Sequence, residues 1–254
     1  MTIRFAVADG HRLEYELIEG DPASAPLVFL HEGLGSIAMW RDFPQRVAAA
    51  TGRRALVYSR YGYGRSDRLL ARRQPDYMHA EALAALPALL DSLALERPIL
   101  IGHSDGASIA LIHAGGAQRA VAGVVAMAPH VMVEELALAG IRATVAAYET
   151  TALNERLARY HDDADSAFRG WSDIWLSAAF RAWNIEEYLP RIAVPVLAIQ
   201  GYGDEYGTMD QLDRIVAAAP DVETLRLADC GHAPHRDQPD AVIAAVAAFV
   251  RRAG

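Results

Sequence analysis

ILIGHSDGASIAL, residues 99–111, places a hydroxyl residue between two glycines directly after an apolar, β-branched run. Ile99, Leu100 and Ile101 read as a buried strand, and Ala107 to Ala114 as the apolar face of a helix. Between them, Gly102-His103-Ser104-Asp105-Gly106 matches the pattern G-x-S-x-G. A strand that reverses into a helix over so few residues forces its central residue into strained backbone geometry. Glycine two positions to either side removes Cβ atoms that would otherwise collide. The serine is then held at the tip of the turn. It sits beside a helix N-terminus, whose free N–H groups favour developing negative charge.

Outward from this turn, strand-like runs alternate with helix-like runs. That alternation predicts an α/β fold with a mostly parallel sheet covered on both faces. Residues 3–7 and 13–18 read as an opening hairpin turned at Asp9-Gly10. Further strands are expected at 27–30, 54–58, 98–102, 121–128, 194–200 and 223–227, eight in all. Helices are expected at 39–50, 78–93 (despite Pro87), 106–116, 210–219 and 241–252. Residues 131–191 break the alternation with helix-like patterns alone, and hold Trp171, Trp175 and Trp183. They read as a helical cap inserted into one core domain, residues 1–130 and 192–254, and lying over the carboxyl ends of the strands. Any single tryptophan there is first a packing residue.

Composition narrows the function. A chain of 254 residues, 52% hydrophobic and 22% charged, is long enough for one sizeable domain. No apolar run approaches the roughly 20 residues a membrane helix needs, and the N-terminal stretch shows no secretory signal pattern. One cysteine, Cys230, allows no internal disulfide and fits the cytoplasm. The net charge of −8 argues against nucleic-acid or anionic-membrane partners. All 24 basic residues are arginine. No metal-ligand spacing, dinucleotide glycine motif or phosphate loop is present, so no cofactor is expected. The chain is expected to act as a monomer or homodimer.

A serine hydroxyl becomes a nucleophile only when a base accepts its proton, and that base needs an orienting carboxylate. VPVLAIQGYGDEYGT, residues 194–208, ends a strand and turns at Gly201 to Gly203, which puts Asp204 just past the strand tip. LADCGHAPH, residues 227–235, follows the last strand, with Gly231-His232 in another turn. Ser104, Asp204 and His232 therefore each lie on a loop at a strand's carboxyl end, where doubly wound sheets build their sites. Glu205 competes with Asp204 as the acid, and His235 with His232 as the base. His31 and His103 read as structural hydrogen-bonding groups.

This order of serine, acid and histidine resembles the α/β-hydrolase superfamily, from Leu27 through the final helix. The resemblance implies an eight-stranded doubly wound sheet with a helical cap. It also implies an oxyanion hole built from two backbone N–H groups, each worth roughly 3–4 kcal/mol of barrier. One would belong to Asp105, after the nucleophile. The other would belong to Gly33, with Leu34 as the fallback, in the loop LHEGLGSIAMW (residues 30–40) that matches the family's His-Gly-x loop. Leu34, His130, Trp171 and Trp175 are the expected pocket residues. Some members draw the acid from after the sixth strand, where Glu134 and Glu135 stand. YSRYGYGRSD, residues 58–67, resembles the family's Asp-x-x-Gly-x-Gly-x-Ser turn, with Ser59 in place of the aspartate.

The implied activity is hydrolysis of a small carboxylic ester or thioester through an acyl-enzyme. The alternatives are cleavage of a carbon–carbon bond in a vinylogous diketone, acyl transfer, and ligand binding without turnover. An aspartate in the place of Ser104 would mark an epoxide or haloalkane hydrolase. One departure stands out: Glu32 occupies the position of the usual glycine. A carboxylate beside an oxyanion hole opposes developing negative charge unless it is turned away or paired. Glu32 is therefore expected to be turned from the hole and held by an arginine or by backbone N–H groups.

Overall fold

The short apolar runs pair into one eight-stranded sheet in the computed structural model, which describes residues 2–253. The strands are β1 (Arg4–Ala8), β2 (His11–Ile18), β3 (Leu27–Leu30), β4 (Ala55–Tyr58), β5 (Ile99–His103), β6 (Gly123–Met127), β7 (Val196–Gly201) and β8 (Val222–Leu227). Their order is β1-β2-β4-β3-β5-β6-β7-β8. β1 with β2 and β2 with β4 run antiparallel; the other pairs are parallel. Every strand expected from the sequence is present, with ends displaced by two residues at most.

The central strands are buried along their whole length and mostly apolar because both faces are covered. On β5, Ile99 and Ile101 join Phe29, Val57 and Val125 beneath the helices Phe43–Thr51 and Pro239–Ala253. Leu100 faces the other way, with Val28, Leu30 and Leu56, toward the helices Leu86–Ser92 and Asp105–Gly116. After β3 the chain goes to β4 on one side and then crosses to β5 on the other. The loops after β3 and β5 diverge there, and a crevice opens at the carboxyl ends of the strands.

Two expected helices are broken. Residues 39–50 form a 3₁₀ turn, Ile37–Trp40, and then the helix Phe43–Thr51. The positive φ of 55° at Arg41 ends the turn, and Pro44 suits the first turn of the helix that follows. Residues 78–93 form the helix Tyr77–Ala80, a wider π turn Glu81–Ala85 and the helix Leu86–Ser92. Pro87 has no N–H to donate and its ring crowds the carbonyl four residues back, so the turn before it widens.

The stretch 99–111 folds as its glycines demand. Ser104 sits at φ 53°, ψ −120° between β5 and the helix Asp105–Gly116. A Cβ at Gly102 would lie 2.3 Å from the carbonyl oxygen of Gly106, and one at Gly106 would lie 2.0 Å from that of Leu30. Both obstacles are backbone. Gly106→Ala is therefore expected to destabilise the fold by about 3 kcal/mol, read as a lower urea midpoint with an unchanged slope. A midpoint equal to that of the parent protein would mean that the loop after β3 yields freely.

Between β6 and β7 lie the helices Glu135–Thr150, Leu153–Leu157 and Ala164–Leu176, with no strand among the described residues. One antiparallel bridge, Met132 to Asn184, joins the two ends of this segment. Phe168, Trp171, Trp175 and Trp183 are buried within it. Among the described residues, no helix is long and apolar enough to cross a membrane.

Candidate active site

Three loops at the carboxyl edge of the sheet bring Ser104, His232 and Asp204 into one chain of hydrogen bonds. His232 Nε2 lies 2.9 Å from Ser104 Oγ, and His232 Nδ1 lies 2.8 Å from Asp204 Oδ1. A carboxylate can only accept, so Nδ1 carries the ring proton and Nε2 accepts from the serine hydroxyl. Ser104 and Asp204 are each only 7% exposed.

Asp204 is held by more than the imidazole. Its Oδ1 accepts from the backbone N–H groups of Tyr206 (2.8 Å) and Gly207 (3.2 Å), and its Oδ2 from Gln200 Nε2 at 3.3 Å. Burial pushes the carboxyl up, but the His232 bond and charge and the Tyr206 N–H outweigh it, and the pKa falls below the usual range. The competing acids are engaged elsewhere. Glu205 accepts from the backbone N–H of His232 at 3.2 Å. Glu134 accepts from Thr208 and Gln211, while Glu135 pairs with Arg142 and Arg181 on the surface. His235 is buried against Trp40, Phe43 and His103, away from the serine.

Gly33, Leu34 and Asp105 line a cavity of about 120 Å³ together with Ser104 and His232. The backbone N–H groups of Gly33, Leu34 and Asp105 donate to no protein acceptor among the described residues. The missing side chain at Gly106 is what lets the loop after β3 approach the first turn of this helix. That loop is pinned from behind: the buried Arg60 donates through Nη2 to the carbonyls of His31 and Glu32. His31 donates from Nδ1 to the Glu32 carbonyl (2.6 Å) and accepts at Nε2 from the N–H of Arg60 (3.0 Å), the structural role expected of it. His161 donates from Nε2 to the Leu34 carbonyl and accepts at Nδ1 from the N–H of Gly64. Ser59 is buried as scaffold, with its hydroxyl donating to Glu14 and accepting from the N–H of Ile37.

The rest of the cavity is mostly apolar: Ala137, Ile141, Trp171 and Trp175, with Glu32, which is not turned out of it, and His130, Thr144 and Tyr206. Trp171 fills the space that a side chain at Gly33 would take. Trp175 donates from Nε1 to Tyr77 Oη, which donates to Asp105 Oδ2 at 2.6 Å; Arg60 lies 3.9 Å from the same carboxylate. His130 stands between Trp175 and His232, and its Nδ1 is buried without a hydrogen-bond partner among the described residues. Burial, assisted by His232, brings its pKa down to about 3, so the ring is neutral and adds no charge beside the base.

Glu32 is held by an arginine, as expected: Arg236 Nη2 lies 3.4 Å from its Oε1. The other oxygen faces His103 Nδ1 at 3.4 Å, a partner the sequence reading did not supply. Thr144 and Tyr206 were missed as cavity residues. Ala137, Ile141 and Thr144 share one helix face at the i, i+4, i+7 spacing, and Tyr206 stands two residues past the acid, so a signal existed for both.

Residues 27–245 match the model of the alpha/beta hydrolase family. Among curated relatives, the sn-1-specific diacylglycerol lipase ABHD11 of Mus musculus is 31% identical over 100 residues, 39% of this chain and 31% of that protein. The chain thus spans about a third of that relative's length. The dihydrolipoyllysine-residue acetyltransferase component of the acetoin cleaving system of Pseudomonas putida is 25% identical over 92% of this chain and 65% of its own. Among solved structures, the enol-lactonase from Burkholderia xenovorans LB400 superposes with a TM-score of 0.76 at 22% identity, over 98% of this chain and 100% of that one. At that identity the likeness concerns the fold alone.

Proposed function

The chain belongs to the alpha/beta hydrolase family, and from that premise we propose that it is a serine hydrolase of small carboxylic esters or thioesters. The observation that carries this reading is the continuous Asp204–His232–Ser104 hydrogen-bond chain at the wall of a small, largely apolar cavity. Ser104 Oγ attacks the acyl carbonyl as its proton passes to His232 Nε2. Asp204 stabilises the resulting imidazolium. The N–H groups of Asp105 and Gly33, with Leu34 in reserve, receive the oxyanion. His232 then protonates the departing alkoxide or thiolate. A water, deprotonated by the same nitrogen, releases the acyl group from the serine.

The cavity limits the acyl group. An apolar space of about 150 Å³ holds one benzene ring, so about 120 Å³ accepts a short branched chain or a small ring. Acyl selectivity of p-nitrophenyl esters is therefore expected to favour butyrate over decanoate by about 100-fold in kcat/KM. Equal rates would remove the cavity as the acyl site. The chemical reading itself is tested with a fluorophosphonate probe and peptide mass spectrometry. The expected result is a single adduct on Ser104 together with turnover of short esters. A probe that leaves Ser104 unmodified overturns the nucleophile. An adduct without turnover of any ester or thioester redirects the reading to carbon–carbon cleavage or to ligand binding.

A further inference from the structure

His103 ends β5 directly before Ser104, and its ring reaches the other two loops of the site. It is 2% exposed. Its Nε2 lies 2.7 Å from the backbone carbonyl oxygen of His232, and its Nδ1 lies 3.4 Å from Glu32 Oε2. A carbonyl oxygen only accepts, so Nε2 carries a proton. Burial raises the Glu32 carboxyl, but the His103 bond and charge and the Arg236 guanidinium more than reverse this, and Glu32 is ionised. The Nδ1 edge of the ring therefore faces the Glu32 carboxylate while its Nε2–H faces the His232 carbonyl. Arg236 holds the other carboxylate oxygen and anchors itself on the Met39 carbonyl. Two further rings face His103: His235 at 4.7 Å, whose pKa burial pushes well down, and His232 at 5.2 Å.

We propose that Glu32 and His103 form a second carboxylate–imidazole pair beside Asp204–His232, in which His103 holds the backbone of His232 in register with Ser104. The proposal rests on reading Ser104, His232 and Asp204 as the catalytic set. Glu32 and His103 are positioning residues, and neither touches the reacting atoms. The pair accounts for the carboxylate where the family has glycine. Arg236 and the His103 ring flank its two oxygens next to Gly33, and one imidazole ties β5 to the loops after β3 and β8.

The test combines kinetics with heteronuclear NMR of histidine-labelled, full-length protein. Glu32→Gln keeps the shape and removes the charge. With p-nitrophenyl butyrate it is expected to lower kcat by about 10- to 100-fold, the cost of a base displaced by about 1 Å, with KM unchanged within about twofold. His103→Gln is expected to do the same. The double variant should lose no more than either single, because the two side chains act as a unit. The NMR readout does not depend on turnover. The His103 Nε2–H that donates to the His232 carbonyl, assigned through its own backbone, should be a slowly exchanging signal in the parent protein and exchange faster in Glu32→Gln. A rapidly exchanging Nε2–H in the parent protein, a Glu32→Gln kcat unchanged within about twofold, or additive losses in the double variant each overturn the pair. If His103→Gln does not fold, Glu32→Gln and the Nε2–H still decide. Failure of the nucleophile reading shows separately, as a Ser104 that takes no fluorophosphonate, whatever the exchange of this proton.

Discussion

Ser104→Ala is expected to lower kcat for p-nitrophenyl butyrate by about 10⁶-fold and to abolish fluorophosphonate labelling, with the fold intact. The fold survives because alanine keeps the Cβ atom and loses only the hydroxyl. The φ of 53° and ψ of −120° at this residue are set by the glycines at 102 and 106, which remain. No bystander replaces the lost nucleophile. Ser108 Oγ donates to the His130 carbonyl at 2.6 Å and accepts from the His130 N–H. Thr144 Oγ1 is paired with Tyr206 Oη at 2.8 Å. Burial, with Asp237 and Asp204 nearby, pushes the Cys230 thiol up to about 11, so little thiolate forms. A residual rate of about 10³-fold over water should persist, since His232 and the free N–H groups of Gly33 and Asp105 stay in place. The measurement is steady-state kinetics beside a thermal melt. A variant that keeps its melt and more than about 1% of the parent rate would remove Ser104 from the chemistry.

What the chain revealed before its coordinates follows the reach of each interaction. Strands β3 to β7 were legible because a sheet covered on both faces demands apolar runs, and 27–30 and 99–101 are such runs. The turn at Ser104 was legible because close backbone approach admits only glycine at 102 and 106, and both stand within two residues of the serine. The sequence preferred Asp204 to Glu205 for its place just past the strand tip, but spacing alone does not show how each is held. Adjacent residues in a turn point to different sides, and here the amides of Tyr206 and Gly207 draw in Asp204, while Glu205 caps the His232 N–H.

Longer-range features left no local trace. Arg236 meets Glu32 across 204 positions of sequence, and Trp175 meets Tyr77 across 98. Nothing near Arg60 announced a fully buried guanidinium that grips the loop after β3. The break at Arg41 and the π turn before Pro87 were hidden for another reason. Helical periodicity persists through both, and only the backbone torsion or the missing N–H interrupts it.

Asp204→Asn is expected to lower kcat by about 10³- to 10⁴-fold while leaving KM for a short ester within about threefold. The hydrogen-bond set around the carboxylate fixes how asparagine must sit. Oδ1 receives the N–H groups of Tyr206 and Gly207, so the amide oxygen takes that place and still faces His232 Nδ1. The amide nitrogen is then driven against Gln200 Nε2, itself committed to the carbonyls of Gly207 and Thr208. The tautomer of His232 is kept, but the negative charge that stabilises its imidazolium in the transition state is gone. The loss therefore falls on kcat and not on binding. The same charge sets the pH dependence of stability. The Asp204 pKa is lowered in the fold, so its stabilisation is present above the unfolded carboxylate value of about 4 and is lost as pH falls through the folded value. Thermal melts of parent and variant should therefore stand furthest apart at neutral pH and converge in acid. Curves that stay parallel down to strong acid, or a variant with kcat within about tenfold of the parent, would take Asp204 out of the triad.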